Sequence, residues 1–354
     1  MIELPTGSTI GILGGGQLGR MLAVAASRLG LQAHVYDPDP TAPAGQIARL
    51  TSAPFTDIAA LTAFAASVDV ITYEFENIPT AALDTLAALR PIHPNRSTLA
   101  TSQDRIAEKD FLNSLGLQTA PYAAVNSLDD LTAAIDSIGT PAILKTTRLG
   151  YDGKGQARIM APADATGAWQ GMAGAPCVLE GFIPFTHEVS VIAARGQDGS
   201  VACYDPGENV HDAGILRTTT VPARLSPTQR TDAVLIAARI LNALNYVGVM
   251  GVELFVTPQA LIVNEIAPRV HNSGHWTQNG CAVDQFEQHI RAVAGWPLGD
   301  GSRHSDVVME NLIGDDIARI PATLREPHTA LHLYGKAAAH PGRKMGHVNR
   351  AKPR

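Results

Sequence analysis

Ala142-Ile143-Leu144-Lys145-Thr146-Thr147-Arg148-Leu149-Gly150-Tyr151-Asp152-Gly153-Lys154-Gly155-Gln156 is an apolar run that ends in a lysine, followed at once by a loop with three glycines and a second lysine. Glycine lets backbone N–H groups turn toward an anion, and a lysine amine neutralises phosphate oxygens. The stretch is therefore a candidate grip for a polyphosphate. It is not the P-loop, because Gly153-Lys154-Gly155 lacks the spaced first glycine and the Ser/Thr after the lysine that would hold magnesium. A metal serving a triphosphate here must be held by another part of the chain. Read locally, the same residues form a β-hairpin with Asp152-Gly153 at its turn, and a hairpin that covers phosphate satisfies both readings.

The other part of the chain is downstream. Residues 251–256 and 260–266 read as two strands joined through Thr257-Pro258-Gln259, which lets Glu253 and Glu265 face one another. Carboxylates in apolar surroundings resist burial unless a cation sits between them. Magnesium on one or two carboxylates plus substrate phosphates resolves the conflict; two independent surface glutamates are the alternative. Directly afterwards, Arg269, His271, Asn272 and Ser273 crowd into five positions, an unusual density for a packing element, while His275 and Trp276 read equally well as structural.

Toward the N-terminus, residues 9–13 form a short strand and Gly14-Gly15-Gly16-Gln17-Leu18-Gly19 opens a helix, with Asp37 ending the next apolar segment. Alone, this G-x-G-x-x-G pattern says dinucleotide-binding domain, yet many α/β folds use the same turn without a cofactor. Residues 57–67 read as a helix, and 68–73 as a buried strand leading to Glu74-Phe75-Glu76, acids at the carboxyl end where parallel sheets place ligands. Residues 92–95 resemble the last strand of this first domain. Ser102 caps a helix to about Leu115, whose Asp104, Arg105 and Lys109 read as a charged surface face. The strand 177–180 and the strand beginning at Glu188 flank a short segment; carboxylates there suit ribose hydroxyls, with backbone between them for an adenine edge. Residues 208–212 are too polar for a core strand. The basic tail 342–350 is either a solvated end or a turn and strand returning lysine and arginine to a phosphate.

With 354 residues the chain is long enough for two or three domains, and 45% hydrophobic with 17% charged residues describes an ordinary globular protein. A net charge of −6 gives no global attraction to nucleic acid or to a membrane surface, so any phosphate affinity must be local. No apolar run approaches the about 18–20 residues that span a bilayer, and the start is strand-like, not a basic leader. A soluble cytoplasmic protein is expected. Cys177, Cys203 and Cys281, odd in number and far apart, read as buried thiols.

Four segments then resemble one family along nearly the whole chain: residues 11–21 (Gly-Ile-Leu-Gly-Gly-Gly-Gln-Leu-Gly-Arg-Met), 73–79 (Tyr-Glu-Phe-Glu-Asn-Ile-Pro), 150–156 and 271–277 (His-Asn-Ser-Gly-His-Trp-Thr). The family is the ATP-grasp enzyme 5-(carboxyamino)imidazole ribonucleotide synthase of purine biosynthesis. The resemblance implies an α/β fold, α+β in its C-terminal part: an N-terminal Rossmann-like domain at 1–100, a linker helix and lid domain at 101–185, and a C-terminal antiparallel-sheet domain at 186–354 carrying the metal and substrate site. The activity implied is carboxylation of 5-aminoimidazole ribonucleotide with bicarbonate, ATP being the co-substrate. By that resemblance Arg105 and Lys145 contact phosphates, and Gly150, Tyr151, Asp152, Gly153, Lys154, Gly155 and Gln156 fold over them. Glu180, Gly181, Phe182, Ile183 and Glu188 hold adenine and ribose, His211, Asn264 and Glu265 complete the nucleotide site, and Glu253 with Glu265 binds magnesium, or manganese in its place. Tyr151, Asp152, Lys154, Arg269 and His271 lie at the reacting groups. Gln17, Glu74, Asn272, Ser273, Lys344 and Arg350 join Arg269 and His271 around bicarbonate and the ribonucleotide. A homodimer is also implied. Val270 departs from the proline common in the family, which would loosen the turn that aims Arg269 and His271.

Three rivals stay open at this level. An NAD-dependent oxidoreductase accounts for the glycine fingerprint but leaves the lysine loop and paired glutamates without a purpose. Another ATP-grasp ligase, or a formate-dependent transformylase, accounts for both. A non-catalytic nucleotide sensor would bind ATP without turning it over.

Overall fold

The glycine fingerprint sits where a parallel sheet begins. In a computed structural model describing residues 3–150 and 155–354, strands β1 (Thr9–Leu13), β2 (Gln32–Asp37), β3 (Arg49–Ser52) and β4 (Val70–Tyr73) pair in parallel in the order β3-β2-β1-β4. Helix α1 (Gln17–Arg28) buries Leu18, Met21, Leu22, Ala25 and Ala26, the spacing of one helical face. Helix α2 (Ile58–Ala66) starts at Asp57, whose carboxylate accepts the Ala60 N–H. Residues 92–95 do not form the expected strand; Ile92 makes a single bridge to Ile71, and Pro94 has no N–H with which to extend it.

Helices α3 (Thr80–Ala87) and α4 (Arg96–Ser102) follow. Ser102 closes α4 instead of capping the next helix. That cap is Asp104, whose side chain accepts the N–H groups of Ile106 and Ala107 at the start of α5 (Arg105–Ser114).

The second sheet is antiparallel. Strands β5 (Tyr122–Val125), β6 (Ala142–Thr146), β7 (Gln156–Ile159) and β8 (Cys177–Gly181) lie in the order β5-β8-β6-β7. Helices α6 (Leu128–Ile138) and α7 (Ala165–Gly171) close a small core containing Leu131, Ile135, Leu144 and Leu179. Lys145 pairs with Gln156, so β6 and β7 form the expected hairpin. Tyr151, Asp152, Gly153 and Lys154 lie outside the described residues.

The third sheet has nine antiparallel strands: β9 (His187–Arg195), β10 (Val201–Cys203), β11 (Gly207–Asp212), β12 (Ile215–Val221), β13 (Gly248–Val256), β14 (Leu261–Ala267), β15 (Ser305–Ile313), β16 (Thr329–Leu333) and β17 (Lys344–Pro353). Their order is β14-β13-β9-β11-β12-β15-β17-β16, with β10 on β9. The segment too polar for a core strand is β11, which lies between β9 and β12 but buries only Gly207 and Asn209. Its polar side chains have partners or a cavity to face: Asn209 accepts the Thr219 hydroxyl, and His211 reaches toward Glu188. Helix α8 (Pro227–Ala243), opened by a reciprocal Ser226–Gln229 capping box, covers one face.

Helix α9 (Thr277–Gly280) precedes α10 (Gln285–Ala294), which fastens the first sheet to the third. His289 on α10 accepts the Val249 N–H through Nδ1 and meets the Thr72 hydroxyl through Nε2, 2.7 Å away. Arg28 of α1 pairs with Asp284 and Glu287. The carboxyl end of β4 is thereby held against β13, and the cavity described next opens along that seam.

Candidate active site

The fingerprint turn is already filled by the protein's own anions. Asp37 accepts the Gly15 N–H at 2.6 Å, and the buried Glu74 accepts those of Gly16 and Gly19. A carboxylate over a helix N-terminus satisfies amides that a dinucleotide pyrophosphate would otherwise take. Three of the turn's amides are therefore already taken by the protein's own carboxylates, which weakens the oxidoreductase reading. Burial pushes the Glu74 carboxyl up, against the amide hydrogen bonds that favour its charge. Glu74 touches the cavity, but its hydrogen bonds hold the turn.

A cavity of about 890 Å³ runs from this turn, along β13 and β14, to Lys145. On its floor Glu253 and Glu265 stand directly opposite one another in the β13–β14 register. The register then shifts, leaving Asn264 as an extra residue, so the consecutive Asn264 and Glu265 both line the cavity. Burial and then the neighbouring Glu265 push the Glu253 carboxyl up to about 7, with His211 pulling the other way. Glu188 lies 2.7 Å from His211 Nδ1 and raises its pKa against the effect of burial. Two carboxylates that repel across a hairpin fit a hard cation that takes its remaining oxygens from phosphates and water. Among the described residues no group of three His, Cys, Asp or Glu side chains is placed to hold a metal ion.

His271 stands beside this pair, with Nε2 3.4 Å from Glu253. Ser190 donates to Ser273, and Ser273 lies 2.8 Å from His271 Nδ1, an order that leaves the imidazole proton on Nε2. Burial, then Arg269 and Lys344, push His271 down to about 3, so the ring is neutral. Ser273 is wholly buried and positions His271 instead of lining the cavity. Arg269 is held by Glu76 at 2.5 Å; although burial acts the other way, Arg269 keeps the Glu76 carboxyl below its ordinary range. Val270 does not loosen this turn: it is buried, while the His271 N–H donates to Gln285. His275 and Trp276 are core residues off the cavity.

One end of the cavity gathers cations from strand β6 and helix α5. Lys145 lies 2.8 Å from Glu180, and Arg105 reaches Glu265 at 3.1 Å and the Gly150 carbonyl at 3.3 Å. Arg105 and Lys109 do not lie on a solvated face: Lys109 is 2% exposed and sits 3.3 Å from the other Glu180 oxygen. Gln156 lines the cavity, while the Gly155 carbonyl accepts the Thr146 N–H. Glu180, Gly181, Phe182 and Ile183 lie off the cavity wall. The N–H groups of Gly181 and Phe182 already donate to Pro121 and Pro141, which leaves only carbonyls of those two residues for an adenine edge.

At the opposite end, Lys336, Arg343 and Lys344 line the cavity beside Gln17, whose side-chain oxygen accepts from Lys336 at 2.6 Å. Asn272 lines it too, with both polar atoms of its amide buried and unpartnered. Arg350 is six positions along β17 from Lys344 and is taken by Glu310 and Glu326, so it does not belong to the site. Sequence reading missed Lys336, Arg343 and Arg158 on the wall, and the buried Lys109 behind it. Arg343 stood within the basic tail already singled out; Lys336 and Arg158 carried no comparable signal.

Cations from a small antiparallel sheet, facing a hairpin with paired glutamates on a larger one, define an ATP-grasp protein. An ATP-grasp domain model matches residues 110–286, a ribonucleotide synthetase preATP-grasp domain residues 7–103, and a phosphoribosylaminoimidazole carboxylase C-terminal domain residues 307–353. The chain is 55% identical to N5-carboxyaminoimidazole ribonucleotide synthase of Brucella melitensis biotype 1, covering 99% of this chain and 98% of that one. Among solved structures, the ADP complex of an N5-carboxyaminoimidazole ribonucleotide synthetase superposes with a TM-score of 0.96 at 40% identity, covering 99% and 94% of the two chains. The Aspergillus clavatus enzyme in complex with ADP and 5-aminoimidazole ribonucleotide superposes at 0.92, with 32% identity and 98% and 94% covered. The chain belongs to the N5-carboxyaminoimidazole ribonucleotide synthase family, ATP-grasp ligases of purine biosynthesis.

Proposed function

We propose that the cavity carries out carboxylation of 5-aminoimidazole ribonucleotide by bicarbonate, driven by ATP and passing through carboxyphosphate. The observation that carries this reading is the continuity of one cavity from Lys145 and Arg105, past Glu253 and Glu265, to Lys336, Arg343 and Lys344. A triphosphate and a phosphorylated acceptor thus have separate basic ends with a metal-suited floor between them.

In this reading ATP lies against Lys145 and Arg105, with Glu188, His211 and Asn264 toward its ribose, and Glu253 with Glu265 holds magnesium. The metal, when bound, neutralises charge on the transferring phosphoryl group. Bicarbonate is a poor electrophile, so one of its oxygens attacks the γ-phosphorus, the bond to ADP breaks, and a mixed anhydride forms. That transfer needs alignment and charge neutralisation more than a covalent residue, which suits a wall of lysine and arginine. Arg269, fixed by Glu76, and the neutral His271, a neighbouring N–H donor, orient bicarbonate. The amine nitrogen of the ribonucleotide then bonds to the carboxyl carbon, the C–O bond to the phosphate breaks, and the amine's proton leaves with the phosphate. Lys336, Arg343 and Lys344 hold the acceptor's phosphate, and the unpartnered Asn272 amide reads its base or ribose. We extend the proposal to domain limits of 1–100, 101–185 and 186–354, each carrying one sheet, and to a cytoplasmic homodimer. No helix among the described residues is long and apolar enough to cross a membrane.

The test is ADP formation with bicarbonate and aminoimidazole ribonucleotide omitted in turn. Full release with both, and little without the ribonucleotide, is expected; labelled formate incorporated in place of labelled bicarbonate would refute the reading.

A further inference from the structure

Lys109 is buried beneath the phosphate wall and contacts nothing that the mechanism uses directly. Its amine forms an ion pair at 3.3 Å with Glu180 Oε1, a buried oxygen that has no hydrogen-bond partner, and lies 5.9 Å from the centroid of the Tyr122 ring. The opposite oxygen of Glu180 is 2.8 Å from Lys145. Glu180 itself is 4% exposed. One buried carboxylate therefore answers two lysines, one pointing away from the cavity and one lining it.

The consequence follows from the cost of stranding a buried charge. With Lys145 as its only partner, Glu180 would hold that amine tightly, because releasing it leaves an unpaired carboxylate in the interior. With Lys109 on its other oxygen, Glu180 stays paired when Lys145 turns to a phosphate. The triad also has one positive charge in excess, directed toward an anionic ligand. Helix α5 adds geometry to this: Arg105 and Lys109, one turn apart, reach Glu265 of the third sheet and Glu180 of the second. Between them Glu108 accepts the Ile266 N–H, so the helix ties the metal-bearing hairpin to the lysine-bearing strand.

We propose that Lys109 is a positioning residue that, by balancing Glu180 from behind, frees Lys145 to hold an ATP phosphate. This rests on the ATP reading of the cavity given above. The test is steady-state kinetics of Lys109→Met, Lys109→Arg, Lys109→Met/Glu180→Gln and Lys145→Ala, with Michaelis constants for ATP and for the ribonucleotide measured separately. Lys109→Met should raise the constant for ATP roughly tenfold, the scale of one charge-assisted hydrogen bond, with that for the ribonucleotide unchanged. Lys109→Arg, which keeps the charge, should stay within about threefold of the native value. The double variant should recover most of the loss, because the neutral amide that replaces the Glu180 carboxylate no longer competes for Lys145. An additive double variant, or an unchanged ATP constant in Lys109→Met, overturns the proposal. If Lys109→Met does not fold, the double variant is compared with Glu180→Gln alone: ATP constants within about threefold support the proposal, and a wide separation overturns it. Lys145→Ala separates the two levels: if it leaves the ATP constant untouched, the ATP reading itself is wrong; if it raises it while Lys109→Met does not, only the present inference fails.

Discussion

Glu108 offers a stability test that isolates one proton. It is 4% exposed, its carboxylate accepts the Ile266 N–H, and burial, followed by the charge of Glu265, pushes its pKa from 4.5 up to about 8. The folded protein therefore keeps a proton that the unfolded chain loses. By linkage, the advantage of the protonated form is fully present below the ordinary carboxylate value and disappears as pH rises through the folded value. Each pH unit inside that window is worth about 1.4 kcal/mol, so wild-type stability should lose roughly 3 to 4 kcal/mol from this group between about pH 5 and about pH 8. Glu108→Gln keeps the acceptor for Ile266 and has no proton to lose. Denaturant unfolding of both proteins over that range should give curves that diverge steadily, the variant becoming the more stable of the two toward high pH; titrating groups remote from Glu108 cancel in the difference. Saturating magnesium and ATP should narrow the gap, because a cation at Glu265 removes part of what raises Glu108. Parallel curves would show that Glu108 is ionised in the folded protein and refute the reasoning.

Glu265→Ala should abolish magnesium-dependent ADP release while circular dichroism and melting stay close to native, since the side chain is only partly buried; retained activity would count against the metal assignment. Lys344→Ala and Arg350→Ala form a pair from one strand. The first should raise the Michaelis constant for the ribonucleotide with ATP affinity little changed. The second removes surface ion pairs worth under about 1 kcal/mol and should leave both constants alone. Equal effects on the ribonucleotide would place the phosphate further along the strand than proposed.

Where the chain's regularity matches one structural period, the sequence was readable. The parallel strand and helix around Gly14–Gly19, the hairpin of Lys145 and Gln156, and the facing pair Glu253 and Glu265 all follow from alternation, spacing and turn chemistry. Strand β11 is too polar for a core strand and largely unburied, yet its place between β9 and β12 was not legible, because it rests on pairing with residues distant in sequence. Arg350 was misassigned for the converse reason. A basic residue close to Lys344 in sequence lies far from it along an extended strand, and carboxylates of other segments claim it.

Helix α5 shows where such reading stops. Arg105, Glu108, Lys109 and Leu112 occupy positions i, i+3, i+4 and i+7, the spacing of a buried stripe, but three of the four are ionisable. Pattern rules assign charges to water because isolated burial of a charge is so costly. The rule fails when the opposing surfaces are charged as well, and those surfaces, Glu265 and Glu180, come from two different sheets distant in sequence. Nothing local in α5 records them. The helix most easily dismissed as solvated is the one that joins the second sheet to the third, and its buried cations are answered by Glu265 and Glu180.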